Sequence, residues 1–189
     1  MQHRHFKINK PVGMISQFIN NKTRKKRVLG ELYEFPEETM AIGRLDKDTE
    51  GLLLLTTDGK ESEKVRSKSI EKEYWAQVDG IVTEDAIRQL EEGVVLSHKG
   101  SEYKTMPAKV KVVDDISSLP TTDFKIRSDR HGPTSWLSIT ISEGKYKQVR
   151  KMTAAVGFST LRLVRVRIGK LTLGKLKLGE VVELNELTV

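Results

Sequence analysis

A chain of 189 residues without a single cysteine excludes disulfides, thiol catalysis and Cys-ligated zinc or iron–sulfur centres. With 37% hydrophobic and 31% charged residues it reads as a soluble globular protein, one domain over 1–189. No apolar run reaches the length of a membrane span and the first residues lack an apolar signal core, so the expected place is the cytoplasm.

Taken in order, residues 5–9 alternate weakly and predict a short strand that stops at Lys10-Pro11, since proline cannot donate to a ladder. Residues 11–21 read as loop. Val28, Leu29 and Leu32 have helical spacing and predict a short helix over 27–33. Residues 41–43 and 52–55 predict two buried strands around a polar loop. A polar helix over 60–67 packs through Val65. A strand over 72–78 places Tyr74, Ala76 and Val78 on one face. Thr83 is an N-cap for a helix over 84–92, with Gly93 as its stop and Ile87 and Leu90 as its apolar stripe. Strands follow at 94–96 and 108–113, then a long surface connection over 114–135 rich in Ser, Thr, Asp and Pro. A strand over 136–141, a helix over 145–156 with Val149, Met152 and Val156 on one stripe, and a strand over 161–168 complete the reading. Strands outnumber helices and mostly neighbour one another, which predicts α+β with a mainly antiparallel or mixed sheet.

The formal net charge of +7 points to a polyanionic partner, and its distribution says more than its total. Residues 144–179 contain no Asp or Glu but hold Lys145, Lys147, Arg150, Lys151, Arg162, Arg165 and Arg167. A second cluster, Lys22-Thr23-Arg24-Lys25-Lys26-Arg27, lies near the N-terminus. A charge run is usually a solvated face. A long acid-free stretch beside a second cluster favours nucleic-acid contact.

Residues 41–59 read A-I-G-R-L-D-K-D-T-E-G-L-L-L-L-T-T-D-G. The apolar run is too short for a helix and is closed by an Asp-Gly turn signal, so Asp46 stands on a tight loop between strands. Three readings compete for this loop. Asp46, Asp48 and Glu50 are solvated turn residues, or calcium ligands, or Asp46 is a lone catalytic carboxylate. Calcium fails because the twelfth loop position, which needs a bidentate Glu, is Thr57. The four histidines are scattered, two of them at the N-terminus, so no metal site is expected.

G-R-L-D-K-D-T-E-G-L-L-L-L-T-T-D-G resembles the signature of the RsuA/RluB/RluE/RluF group of bacterial ribosomal RNA pseudouridine synthases. Lys10-Pro11-Val12-Gly13, Lys72-Glu73-Tyr74, residues 143–152 and Leu163-Val164-Arg165 with Gly169 resemble its other motifs, in the same order. Residues 133–137 and 157–163 look closest to the RluE branch, which modifies large-subunit RNA and has no N-terminal S4 domain. The sequence departs from many relatives at Lys147, where they carry His, and at Thr57, where they carry Asn.

That resemblance implies a central mixed, mostly antiparallel sheet flanked by helices, with two lobes around a cleft. It implies a monomeric isomerase of ribosomal RNA that needs neither cofactor nor metal, because uridine isomerisation adds nothing and oxidises nothing. Asp46 would be the catalytic carboxylate, a nucleophile at C1′ or a base at C2′. Tyr74 would stack on the displaced uracil, and Arg150 would pair with Asp46 and keep it ionised. Arg44 would stand near the flipped nucleotide and Leu163 would wall the base. Arg165, Lys147, Lys151, Lys25 and Lys26 would hold RNA. Two other classes remain to be separated from this one: a non-catalytic RNA-binding protein with the same fold, and a metal-dependent nuclease using Asp46, Asp48 and Glu50.

Overall fold

The computed structural model describes residues 2–19, 26–66, 70–98 and 100–189. Its strands are β1 (His5–Lys10), β2 (Met40–Ala41), β3 (Glu50–Thr56), β4 (Lys72–Asp79), β5 (Val95–His98), β6 (Ser101–Lys104), β7 (Lys109–Val112), β8 (Thr134–Ile141), β9 (Thr160–Ile168), β10 (Leu171–Thr172) and β11 (Val181–Leu184). The helices are α1 (Gly59–Arg66), α2 (Glu84–Glu92) and α3 (Gln148–Ala155). The main sheet runs β11-β1-β3-β9-β4-β8-β7, with β2 on β3 and β10 on β9, while β5 and β6 form a separate hairpin. This is the expected α+β architecture with a mixed, mostly antiparallel sheet.

Among the described residues, the one parallel pairing in the main sheet joins its two halves. β3 meets β9 only through Glu50 opposite Val164 and Gly51 opposite Arg165. Here the backbones come so close that a Cβ on Gly51 would lie 2.4 Å from the Arg165 carbonyl oxygen, at φ +107°. Only glycine fits that junction.

β3 is buried at every position because both of its faces are covered. Leu52 and Leu54 pack with Val164, Ile168 and the C-terminal segment. Leu53 and Leu55, facing the other way, pack with Phe6, Ile8, Met14 and Leu29. A third core lies where β4, β8 and β9 carry Ala76, Leu137 and Leu163 against Leu90 of α2 and Met152 of α3.

Several boundaries differ from the sequence reading. The expected helix over 27–33 is a single 3-10 turn, Leu29–Glu31, because Ile15 and Leu29 bond to Arg27 and Gln17 across a bridge that holds the chain extended. The lead-in strand shrinks to Met40–Ala41 and is not buried as expected, since Met40 is exposed and Ala41 only partly covered at the edge of β3. Helix α2 is capped as expected, the Thr83 hydroxyl accepting from the Ala86 amide. The hairpin partner β6 was not legible, since it lacks alternation. Helix α3 begins at Gln148 rather than at 145, because Lys147 takes a left-handed conformation at φ 50° and cannot continue a right-handed helix.

Candidate active site

Residues 42–49 leave β2 and enter β3 as a loop pinned from outside. The Ser16 hydroxyl donates to the Leu45 carbonyl and accepts from the Leu45 amide, both at 2.9 Å. The Gly13 amide donates to Lys47 O at 2.8 Å, and the Thr49 amide closes a turn on Asp46 O at 3.0 Å. Leu45 itself is buried. The backbone on both sides of Asp46 is therefore held, and only its side chain is free to work. The segment after Lys10-Pro11, loop-like in sequence, is what provides this clamp.

Asp46 is half-buried. Burial first, then the nearby Asp48 charge, raise its pKa above the usual carboxylate value, against the pull of Lys147, Arg150 and Lys10. The cations balance part of the cost of ionising a carboxylate away from water, but not all of it. Lys10 is fully buried beneath the loop. Its ammonium donates to Pro11 O at 2.9 Å and Met14 O at 2.7 Å. Burial lowers its pKa to about 8, with Asp48, Glu50 and Asp46 opposing the shift.

Arg150 does not form the expected pair with Asp46. Its Nη2 donates to the backbone O of Asp48 at 2.6 Å and its Nη1 to Thr160 O at 3.3 Å. Its Nε faces the Asp48 carboxylate at 3.7 Å, at the same distance as Lys147 Nζ. The reason is local: the turn closed by Thr49 presents the carbonyl and the carboxylate of Asp48 to α3 together. Arg150 thus grips the loop two residues beyond Asp46 and acts on Asp46 through its charge.

Tyr74 lies where two cores meet, packed against both Leu163's cluster and that of Leu53 and Leu55. Its hydroxyl accepts from Arg165 Nη1 at 3.4 Å, and the guanidinium carbon stands 5.9 Å from its ring centre. Arg165 Nε in turn donates to Leu52 O at 2.8 Å. Arg165 is 5% exposed, so it braces Tyr74 from inside rather than lying on an RNA-facing surface. Leu163 is likewise a core residue. Arg44 is exposed and Lys26 partly so; Lys25 falls outside the described residues. Lys151 donates to Ser97 O at 3.0 Å.

Glu50 is drawn away from its acidic neighbours. Buried, it accepts from Arg162 Nε at 2.9 Å and Nη2 at 3.3 Å. Among the described residues no group of three or more His, Asp or Glu is placed to hold a metal ion. The buried Glu50–Arg162 pair had no local signal, because its partners are more than a hundred residues apart.

The structure thus brings together the pinned loop of Asp46 and Asp48, the cations Lys10, Lys147 and Arg150, and Tyr74 braced by Arg165. The family follows from comparison: residues 4–155 match the model of RNA pseudouridylate synthase, and the chain belongs to that family of isomerases. It is 42% identical over 164 residues to ribosomal large subunit pseudouridine synthase E of Xanthomonas axonopodis pv. citri (strain 306), covering 86% of this chain and 84% of that one. The protein of the same description from Vibrio vulnificus (strain CMCP6) is 42% identical over 180 residues, 94% of this chain and 73% of its own. A solved structure described as a crystal structure of pseudouridylate synthase superposes with a TM-score of 0.77 at 30% identity, over 97% of this chain and 70% of that chain.

Proposed function

We propose that this chain isomerises uridine to pseudouridine in large-subunit ribosomal RNA, in the cytoplasm and as a monomer, with Asp46 as the catalytic carboxylate. The observation that carries the reading is the setting of Asp46: backbone pinned at Leu45, Asp46 and Lys47, side chain half-buried, and Lys10, Lys147 and Arg150 acting on its charge. The reaction breaks the N1–C1′ bond, turns the uracil and forms C5–C1′; the proton on C5 leaves and N1 gains one. Asp46 serves it by attacking C1′ or by removing the proton at C2′, and either role requires the ionised form. Tyr74, held by Arg165, supports the turning uracil by stacking. Arg150 and Lys147 hold Asp48 and thereby the loop that carries Asp46. The target nucleotide must leave its stack to reach this site, since its sugar is inaccessible inside a helix.

The test is Asp46→Asn assayed on large-subunit RNA. Isomerisation disappears while RNA affinity stays within a few-fold of wild type, because one carboxylate serves the chemistry and many lysine–phosphate contacts serve the affinity. Turnover by a rigorously purified Asp46→Asn protein would sink the assignment. Excess chelator leaves the wild-type rate unchanged; a loss would restore the nuclease-like metal reading.

A further inference from the structure

We propose that Tyr146 is a stacking platform for an unpaired nucleobase of the substrate RNA, next to the uridine that enters the active site. The inference rests on the function proposed above and adds a binding site to it. Tyr146 is 58% exposed, against 43% for Tyr33 and Phe124. It is not a loose surface ring. The turn that carries it is tied at both ends: buried Gln148 donates to Glu143 Oε1 at 2.6 Å, and Gln148 Oε1 accepts from the Lys145 amide at 3.0 Å. Glu143 is itself buried and accepts from the Met106 amide at 2.8 Å. Lys145 Nζ lies 3.7 Å from the Tyr103 ring centre, which fixes the turn from a further side. This frame and the left-handed Lys147 push Tyr146 outward between cations.

Those cations match a nucleotide. Lys147 Nζ is 5.8 Å and Lys151 Nζ 5.7 Å from the Tyr146 ring centre, and the His98 ring is 6.1 Å away. An exposed ring with ammonium groups beside it is the combination that binds single-stranded RNA, the base on the ring and the phosphates on the lysines. Residues 144–151 themselves contain no Asp or Glu, and the carboxylate nearest to Lys147 is that of Asp48 on the neighbouring loop. Lys147 also fixes the distance to the chemistry, for the same Nζ stands 3.7 Å from the Asp48 carboxylate on the catalytic loop. The ring and the loop are thus both within reach of one lysine. Extruding a uridine strips its neighbour of a stacking partner. Tyr146 offers a replacement surface at that point.

The experiment uses the full chain and two probes: a short single-stranded oligouridine, and the same RNA carrying one 2-aminopurine, whose fluorescence is quenched by stacking. Tyr146→Ala and Tyr146→Leu weaken binding about tenfold and abolish the quenching, while Tyr146→Trp keeps both. The slope of log affinity against log salt is unchanged in all three, since stacking releases no counterions. Leucine binding RNA as tightly as tyrosine, or quenching that survives in Tyr146→Ala, would overturn the platform and leave the ring as a cover or a protein contact. Asp46→Asn in the same assay retains quenching. Loss of quenching in Tyr146→Ala together with full isomerisation by Asp46→Asn sinks the catalytic assignment alone; the reverse pattern sinks the platform alone.

Discussion

On β9, Arg162 and Arg165 turn inward, whereas around the start of α3 the lysines stay at the surface. Arg162 is 8% exposed and bound to Glu50 and Pro120 O, with the Trp136 ring beside its guanidinium. Arg165 braces Tyr74, and Arg167 holds Glu73 at 2.9 Å and Glu71 at 3.3 Å. Lys147 and Lys151 instead surround an exposed ring, with Lys147 also facing the loop of Asp46. Equal charges in one acid-free stretch therefore do different work. On β9, Arg162 and Arg165 tie the two sheet halves through Glu50 and Leu52 O while Arg167 ties β4, whereas the lysines near α3 stay at the surface, where the proposed function assigns them to RNA. Arg150 falls between the two groups, since it lies on α3 yet donates to Asp48 O on the Asp46 loop and to Thr160 O on β9.

The largest effect expected from breaking this division is on stability. Arg162→Met leaves Glu50 buried without its partner, which costs about 3–5 kcal/mol. It leaves the salt dependence of RNA binding unchanged. Chemical denaturation of the variant and an affinity titration over salt check both halves of the statement. A variant as stable as wild type with a flatter salt slope would place Arg162 on the RNA side instead.

Next in size is Arg150→Met. Freed from its grip on Asp48, the loop loses the position of Asp46, and a displacement of about 1 Å costs on the order of a hundredfold in turnover. RNA affinity falls no further than for a neighbouring lysine. Lysine at 150 recovers part of the rate, because it restores charge without the forked geometry. Single-turnover measurements at saturating RNA separate the two contributions.

Lys151→Met is the milder counterpart on the surface. It lowers the salt slope of binding by about one and leaves folding stability within about 0.5 kcal/mol of wild type. A loss of stability without a change of slope would mean that its bond to Ser97 O matters more than its charge.

The smallest effect is on the pH profile. The proposed roles of Asp46 require its ionised form, and burial together with Asp48 raises its pKa, so the acid limb of turnover is expected above the ordinary carboxylate range. Asp48→Asn removes one of the raising charges and moves that limb to lower pH. The sign for stability is opposite to that of a paired carboxylate. The folded state binds more protons than the unfolded one between the two pKa values, so stability falls as pH rises through that window. Asp46→Asn is accordingly no less stable than wild type at neutral pH, and thermal melts at several pH values read this directly.

The sequence by itself determined the long strands but not β6, β10 or β11, together with the capped helix after Thr83, the glycine-bounded run 51–55 and the place of Asp46 on a tight loop, because these follow from local spacing and turn chemistry. The order of its motifs also pointed to the family to which the chain belongs. Tertiary structure decided the partners. Pairing of β3 with β9 brings Glu50 to Arg162 and Leu52 to Arg165, and docking of α3 brings Arg150 to Asp48, across separations of more than a hundred residues. It likewise decided that Arg165 braces Tyr74 from inside and that Tyr146 stands outside. A run of basic residues has the same charge wherever it folds; whether a given cation meets a carboxylate, a carbonyl or water depends on which surface its neighbours bury.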